Sequence, residues 1–475
     1  MSYIRGEDRH QSALFPVTLD ELIPEDHLVR VIEAYASSLD LAALGFARAH
    51  TAVMGRPAYD PTDLLKLYLY GYLNQVRSSR RLQRECQRNV EVMWLLGRLA
   101  PDFKTIADFR RDNGPAFVAV CAHFVQFCRA ERLLGGTCVA VDGSKFQAVA
   151  SKRKATTRAQ LKRQQAQVTT KIAEYLDLLE SADRDEVPLD VANRGRVGAA
   201  LARLRQGKAK LDQLEAHLDA HDLTQHVEGE PEARLMKTGQ GRAVVAYNVQ
   251  TAVDAQHGLI VHHDVTDEPA DNCQLYPMAR SAKDVLAADQ LTVLADAGYS
   301  NGEQFGQCEA EGITAHVPVQ RAINNRGDGT LFNKTAFSYD AASDSFRCPA
   351  GRTLQRKQIS RANRLIFYTT DACGDCQIKA QCTQGKQRTV TRHFDEASFE
   401  RMAARLEGYP EAMAQRRAIV EHPFGTLKCH IFGTGRLLLR GMKGAKTEMA
   451  LGILAYNFRR AVNLMTPRRL AAALG

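Results

Sequence analysis

The spacing of apolar residues predicts helices over the first 130 residues. The clearest case is YDPTDLLKLYLYGYLNQV (59–76), where Asp60 is a favoured N-cap, Pro61 fits the first helical position, and apolar residues follow at helical spacing. A second helix is predicted over KTIADFRRD (104–112). We therefore expect an all-α N-terminal domain over 1–130, as either a helix-turn-helix type unit or a plain helical bundle.

The apolar pattern then changes to short runs that are typical of buried strands. Strands are predicted in TCVAVDGSKFQAVA (137–150), RAVVAYNVQTAVD (242–254), GLIVHHDVT (258–266), LTVLADAGYS (291–300) and ITAHVPV (313–319). The second and third of these strands should form a hairpin. Helices are predicted over 272–289, about 301–311 and much of 397–422. This order predicts a mixed α/β core, which we assign to 137–320 and 396–430, followed by a C-terminal helical segment over 431–475.

Two insertions interrupt the predicted core. Residues 152–225 hold two segments with seven-residue repeats on either side of a polar loop (181–196), which predicts an antiparallel helical hairpin. The repeats comprise Leu161, Val168 and Tyr175, then Ile172 and Leu179, and in the second segment Val197, Leu204, Leu211 and Leu218. The second insertion, 325–395, is rich in loops and contains four of the eleven cysteines.

Positive charge is clustered along the chain. The formal net charge is +9, and cations concentrate in 77–88, 151–163 and 428–446. A single charged run usually marks a solvated face, but three such runs favour a polyanionic partner, of which nucleic acid is the commonest. In the first run we expect DNA contacts from Arg77, Arg80, Arg81 and Arg84.

The remaining composition is that of an ordinary globular protein, with 45% hydrophobic and 25% charged residues. No run of about 18 apolar residues predicts a transmembrane helix, and the first fifteen residues lack the apolar core of a signal peptide. We expect a cytoplasmic protein that makes no membrane contact and whose cysteines are reduced.

Two aspartates follow apolar stretches of neighbouring predicted strands. Asp142 precedes Gly143, and Asp296 precedes Ala297-Gly298, so each is placed at the end of its strand. Either one alone is compatible with a turn-forming Asp. Together they favour a site for Mg²⁺ or Mn²⁺, because two carboxylates at adjacent strand ends repel each other without a cation.

Glu421 is the candidate third carboxylate, contributed by the long predicted helix. Three carboxylates can hold two metal ions for in-line displacement at phosphorus. Arg417 and Lys428 would then bind the phosphates that flank the scissile bond. The alternative is a surface Glu421 paired with Arg417 one turn away. Pro423 predicts a kink or a new helix start near that position.

The motifs, taken in order, resemble those of the DDE transposases of bacterial insertion sequences, and in particular the group numbered eleven eighty-two. The resemblance covers nearly the whole chain. It is carried by YDPTDLLKLYLYGYLN, SSRRLQREC, VAVDGSKF, EARLMKTG, YNVQTAVD, HGLIV, LADAGYSNG, VEHPFGTLK and LAYNFRR.

This resemblance implies an RNase H-like catalytic core, a mixed sheet flanked by helices, with Asp142, Asp296 and Glu421 as its metal-binding triad. A motif of related transposases places Tyr, Arg, Glu and Lys on the last helix of the core. Arg417 and Lys428 match that motif here, but the Tyr position is occupied by Ala414.

The implied partners are double-stranded DNA at the terminal inverted repeats and target DNA, bound by at least a homodimer. The implied reaction is cleavage of the element ends followed by joining of the 3′-hydroxyls to the target. The sequence leaves open a nuclease that only hydrolyses, and a non-catalytic DNA-binding repressor or bridging protein.

Four further side chains alternate on the predicted strand YNVQ. Asn248 and Gln250 share one of its faces, opposite Tyr247 and Val249. The two amides either lie near the carboxylates or are simply buried in the sheet.

The cysteines of the second insertion form the pattern C-x24-C-x2-C-x5-C, from Cys348, Cys373, Cys376 and Cys382. A C-x2-C pair with two further cysteines predicts a structural Zn²⁺ site. Free thiols, or a site that has lost its metal, are the alternative.

Overall fold

The structure is a computed structural model that describes residues 17–50, 57–184, 191–238, 241–319 and 331–474, with backbone only for 182–184 and 191–194. Residues 185–190 of the predicted loop at 181–196, and residues 325–330 at the start of the second insertion, lie outside these residues. Within the described segments, no helix is both long and apolar enough to cross a membrane.

The N-terminal region consists of helices, as the apolar pattern predicts. Its six α-helices are α1 (Leu28–Ser38), α2 (Pro61–Leu73), α3 (Ser79–Arg88), α4 (Val90–Leu95), α5 (Phe103–Asp112) and α6 (Gly114–Ala130). The predicted start of α2 is confirmed, because the Asp60 side chain accepts the Thr62 N–H at 2.8 Å and Pro61 is the first helical residue.

A mixed six-stranded sheet forms the centre of the molecule. Its strands are β1 (Cys138–Gln147), β4 (Arg234–Lys237), β5 (Ala243–Asp254), β6 (Ile260–Thr266), β7 (Leu291–Leu294) and β8 (Ile313–His316). β4 and β6 both pair with β5, and the order continues β5-β1-β7-β8. The predicted hairpin of β5 and β6 is confirmed. β5 is antiparallel to β1, whereas β1, β7 and β8 are parallel.

Helices cover both faces of this sheet. They are α9 (Leu275–Leu286), α10 (Gly302–Ala310), α12 (Glu396–Glu407), α13 (Ala412–Thr426), α14 (Gly441–Leu464) and α15 (Pro467–Ala473). The prediction of one long helix over 397–422 is wrong, because Gly408 and Pro410 separate α12 from α13. The predicted new helix start near Pro423 is also wrong, because α13 continues through this residue into a π-helical turn, Leu427–Ile431. The alternative, a kink near Pro423, stays a prediction.

The segment between β1 and β4 contains two long helices, α7 (Arg158–Arg184) and α8 (Val191–Ala220), with a short pair of strands at their base, β2 (Ala155–Thr157) and β3 (Gln225–Val227). The helices run antiparallel. Arg158 pairs with Asp219 near the base, and the Gln165 amide donates to Asp212 at 3.0 Å farther out.

The cysteine-containing segment is more regular than the loop-rich stretch that its sequence suggests. Five strands form an antiparallel sheet: β9 (Ser338–Asp340), β10 (Ser345–Arg347), β11 (Thr353–Ser360), β12 (Leu365–Thr369) and β13 (Val390–His393). A short helix, α11 (Lys379–Cys382), precedes β13. The sheet has its own apolar cluster, which includes Phe346, Leu354 and Tyr368.

The N-terminal helices and α14 share one apolar core with a face of the central sheet. The rings of Phe124 on α6 and Phe458 on α14 stack with centroids 4.5 Å apart, and Tyr35 on α1 contacts both edge-on. Burial of these rings against each other ties the first and last thirds of the chain together.

A buried ion pair crosses the same interface. Arg77 Nη1 donates to Glu448 Oε1 at 2.5 Å, and the Arg77 and Glu448 side chains are 8% and 0% exposed. Arg77 also donates to the carbonyl of Phe432, while Glu448 Oε2 accepts the N–H groups of Leu438 and Leu439. Each charge therefore has several partners in the interior.

We expect Arg77→Ala to lower the free energy of unfolding by about 3–5 kcal/mol, because it leaves Glu448 charged and unpaired in the core. Arg80→Ala is the matched control. Arg80 is exposed, and its guanidinium lies 5.1 Å from the centre of the Phe103 ring, so its loss should cost less than about 1 kcal/mol. Urea denaturation measures both values, and similar losses in the two variants would contradict this role of Arg77.

Candidate active site

Strand register brings the two predicted aspartates together. β1 and β7 are parallel and pair up to Ala140 and Leu294, so two further residues along each chain set Asp142 beside Asp296. The prediction that Asp142 ends its strand is wrong: β1 continues to Gln147 and pairs there with β5. Asp142 instead lies at the point where the neighbouring strand β7 has ended.

Asp296 is fixed by the turn that follows β7. Its side chain accepts the Gly298 N–H at 2.8 Å and caps a 3₁₀ turn, Ala297–Tyr299. Tyr299 is 1% exposed and packs in the core beneath this turn. The Asp296 carboxylate remains accessible, with 48% of its side chain exposed.

A guanidinium lies between the two carboxylates. Arg416 on α13 donates from Nη2 to Asp142 Oδ1 at 2.5 Å and to Asp296 Oδ2 at 3.3 Å. We did not predict this contact from the sequence. The helical period contained the signal, because Arg416 lies on the same face as the buried Val420 and Phe424, whereas its neighbour Arg417 is exposed.

The surroundings of Asp142 disfavour the charged form of its carboxyl group. Burial raises its pKa to about 6, the Arg416 guanidinium opposes the rise, and the Asp296 carboxylate adds to it. One guanidinium therefore does not offset the cost of burying this charge beside a second carboxylate.

Glu421 is not brought together with the aspartates. It is exposed, and it follows Arg416 on α13 by five residues, which corresponds to about 140° around the helix. Within the described residues, no group of three or more His, Cys, Asp or Glu side chains is arranged to hold a metal ion. The metal-binding role of Glu421 therefore stays a prediction.

Lys428 lies on the Asp142 side of the site. The π-helical turn directs its Nζ to the Ser144 hydroxyl at 2.6 Å and over the Phe146 ring. Ser144 follows Asp142 by two residues and shares its face of β1. Burial lowers the pKa of Lys428, and the negative charge of Asp142 opposes that shift.

The opposite face of β1 carries a buried amide cluster. Asn248 and Gln250 are both fully buried, and their amides donate to Asp271 Oδ1 at 2.6 and 2.7 Å. Both amides are therefore buried in the sheet, which is one of the two alternatives that the sequence leaves open. Gln250 also accepts the Tyr299 hydroxyl at 2.5 Å, which connects the cluster to the turn after Asp296.

Asp271 is a residue of this cluster that the sequence analysis missed. It follows β6 in a loop, so no strand pattern marks it. Its Oδ1 also accepts from Lys145 at 3.3 Å, and it comes within 2.8 Å of the position that a Cβ on residue 143 would occupy. Glycine at position 143 is therefore required for the close approach of Asp271 to β1.

The predicted DNA-binding arginines separate into two groups. Arg80, Arg81 and Arg84 are exposed along α3, and Arg417 is exposed on α13. Arg77 is buried in the ion pair with Glu448, so its prediction as a DNA contact is wrong. Charge counting along the sequence cannot distinguish an interior arginine from a surface one.

The four clustered cysteines line one small cavity of about 20 Å³. Cys348 follows β10, Cys373 and Cys376 lie in the turn after β12, and Cys382 ends α11. Burial raises the pKa of the Cys382 thiol, and the other three sulfurs add to the rise. The fold therefore gathers the four thiols, although within the described residues they are not arranged as a finished metal site.

Comparison with known protein families identifies the chain. The family model described as Transposase DDE domain matches residues 214–458, just over half of the sequence. The chain belongs to this family. A second model, Transposase domain (DUF772), matches residues 17–112, which cover α1 to α5. The protein is thus a DDE transposase, and its resemblance to the transposases of insertion sequences is confirmed at this level.

Other comparisons add little to the family assignment. No curated protein is significantly similar to this transposase. Among solved structures, it is similar to a cryo-EM structure of the piggyBac transposase synaptic complex with hairpin DNA, at 8% identity and a TM-score of 0.29, over 95% of this chain and 78% of that one. A score this low does not support an argument about fold or mechanism.

The raised pKa of Asp142 predicts a pH dependence of stability. Its ordinary value is 3.8 and the folded value is about 6, so the folded state binds more protons within that window. The stabilisation of the folded state by the Asp142 carboxyl is complete below pH 3.8 and is lost as the pH rises through 6. Asp142→Asn cannot titrate and avoids this loss.

We therefore compare the free energies of unfolding of Asp142→Asn and wild type. Between about pH 4 and pH 6.5, the value for Asp142→Asn should rise relative to that for wild type by at most about 3 kcal/mol. Urea denaturation in the presence of EDTA measures the difference. A difference that does not vary with pH would show that Asp142 titrates alike in the folded and unfolded chain.

Proposed function

We propose that this transposase binds the terminal inverted repeats of its own element, cleaves the element ends and joins the freed 3′-hydroxyls to target DNA. The observation that carries the proposal is the Asp142–Asp296 pair, which lies just beyond the last paired residues of the parallel strands β1 and β7, in a chain of the transposase DDE family. Two carboxylates at such a position suit chemistry on a phosphodiester that needs cations.

The proposed catalytic core is RNase H-like. Its five central strands, counted along the chain as β1, β5, β6, β7 and β8, lie in the order third-second-first-fourth-fifth. Only the second is antiparallel to the rest. This arrangement supports the proposal, because it is the strand order of RNase H-like folds.

We propose that Asp142, Asp296 and Glu421 hold Mg²⁺ or Mn²⁺. Asp142 and Asp296 fit such ions: their donors are hard carboxylate oxygens, and the two share a guanidinium that leaves Asp142 with a raised pKa. Glu421, exposed on α13, would have to approach this pair to complete the set of ligands. A bound divalent ion would make the attacking oxygen a better nucleophile and would stabilise the negative charge on the leaving oxygen. Asp142 must lose its proton before it becomes a ligand, which favours metal binding above pH 6.

The proposed reaction has two displacements at phosphorus. In the first, water attacks the end phosphodiester, the bond from phosphorus to the 3′ oxygen breaks, and the element end leaves as a 3′-hydroxyl. In the second, that hydroxyl attacks a target phosphodiester and releases a target 3′-hydroxyl, while its own proton passes to solvent. Bonds broken and formed balance, so no further energy source is required.

DNA would be bound on several elements. We propose 1–130 as the DNA-binding domain, with Arg80, Arg81 and Arg84 on exposed positions of α3. Arg417, exposed on α13, and Lys428, beside Ser144, would contact the phosphates near the scissile bond.

The other regions have supporting roles in this proposal. The core comprises 137–320 and 396–430, interrupted by the helical hairpin at 152–225 and the cysteine-rich insertion at 325–395, and the helical segment 431–475 packs against the N-terminal domain. Two ends must be brought together, so at least a homodimer forms on DNA.

We also infer that this transposase belongs to the group numbered eleven eighty-two and that it acts at the nucleoid.

Cleavage of labelled element ends in Mg²⁺ tests the triad. Glu421→Gln should lose more than about 100-fold in nicking rate, beyond the range for changes to outer-shell metal partners, while keeping DNA affinity. Glu411→Gln is the matched control, an exposed acid that precedes the same helix. Nicking that survives in Glu421→Gln would rule out Glu421 as the third carboxylate.

The same assay separates the other two functions. Nicking without strand joining, when target DNA is supplied, would favour a nuclease that only hydrolyses. DNA binding with no metal-dependent change to the DNA would favour a repressor or bridging protein.

We also propose that Cys348, Cys373, Cys376 and Cys382 bind one structural Zn²⁺. Their spacing predicts such a site, and the shared cavity of about 20 Å³ has room for about one small ion. Ligation by the four thiolates would tie the turn after β12 to the end of β10 and to α11.

Elemental analysis of the purified protein should therefore find one zinc per chain. Cys376→Ser should lose most of this zinc, because it removes one of four ligands. Cys273→Ser, which changes an exposed cysteine outside the cluster, should retain it. Equal zinc content in the two variants would place the metal elsewhere.

A further inference from the structure

Arg416 occupies the position between Asp142 and Asp296 at which a divalent ion is expected. A single nitrogen, Nη2, donates to both carboxylates, and only 13% of the side chain is exposed. This inference rests on the proposed function, because it concerns the same two carboxylates.

The Arg416 guanidinium does not have a hydrogen-bond acceptor for each of its N–H groups. Its Nε is buried and has no hydrogen-bond partner in the structure. A guanidinium has five N–H donors in one plane, and a buried donor without an acceptor is unfavourable. Charge, rather than a complete set of hydrogen bonds, therefore keeps Arg416 beside the aspartates.

A metal ion that bridges Asp142 Oδ1 and Asp296 Oδ2 cannot bind while Arg416 Nη2 lies between these two oxygens. Mg²⁺ binds carboxylate oxygens at about 2.0–2.1 Å, and Nη2 already lies 2.5 Å from Asp142 Oδ1. Arginine keeps its charge at any ordinary pH. The guanidinium therefore cannot make room by losing a proton, and it must move away.

We propose that Arg416 is the resident counter-cation of Asp142 and Asp296 in the metal-free transposase, and that a divalent ion must displace it to bind. In this state Arg416 reduces the repulsion between the two carboxylates, and it lowers the apparent affinity of the site for metal by competition.

Arg417 provides a matched control for this competition. It is adjacent on α13 and carries the same charge, but it is exposed, with no hydrogen bond or ion pair to either aspartate in the described structure. A change in Mn²⁺ affinity that follows from net charge alone would be similar in the two single variants.

The test is calorimetric titration of Mn²⁺ into full-length, metal-free protein without DNA. Arg416→Gln should bind Mn²⁺ about 5–150-fold more tightly than Arg417→Gln, the usual range of coupling between two ligands. Equal affinities would overturn the proposal. Weaker binding by Arg416→Gln would also overturn it, since it would mean that Arg416 positions the carboxylates for the ion.

Thermal unfolding provides a second readout that also reports whether the variant folds. Without metal, Arg416→Gln should melt below Arg417→Gln, because the two carboxylates have lost their counter-cation. Saturating Mn²⁺ should raise its melting temperature by more than that of Arg417→Gln. If Arg416→Gln does not fold, Arg416→Lys replaces it in both measurements, with the same direction of change expected because ammonium cannot reproduce the guanidinium geometry.

Asp142→Asn separates failure of this inference from failure of the proposed function. If wild type binds Mn²⁺ and Asp142→Asn does not, but the two arginine variants bind alike, only the role of Arg416 is overturned. If no variant binds Mn²⁺ and wild type does not either, the proposed metal-dependent function fails, and the inference fails with it.

Discussion

The repulsion between two neighbouring carboxylates is the constraint on which this site depends. The parallel register of β1 and β7 sets Asp142 beside Asp296, and partial burial makes the charge on Asp142 costly enough to raise its pKa to about 6. A cation has to be supplied. In the structure it comes from Arg416 on α13, a helix anchored by Val420 and Phe424 in the main apolar core.

The surroundings of the pair differ on the two faces of β1. On the face of Asp142, Ser144 and Lys428 continue a polar path along the strand. On the other face, Asp271 accepts from two buried amides, one of which also accepts from the hydroxyl of Tyr299. This buried network connects β1 and β5 to the turn after Asp296. The position of the Asp296 carboxylate therefore depends on contacts made on the opposite face of the sheet.

The regions proposed for DNA binding and for chemistry are packed as one body. The N-terminal helices share their core with α14 and with a face of the central sheet, and the Arg77–Glu448 pair crosses that interface. Packed side chains therefore connect α3 to the strands that hold the carboxylates.

The order of the core strands β1, β5, β6, β7 and β8, the cap of α2, the hairpin of β5 and β6, and the two aspartates could be predicted from the sequence, because each depends on local spacing and on residue type. Tertiary structure alone decided which charges are internal. Arg77 and Arg80 look alike in the sequence, yet one is buried against Glu448 and the other is exposed. Likewise Arg416 rather than Glu421 contacts the aspartates, because core packing turns toward them the face of α13 that Arg416 shares with the buried Val420 and Phe424.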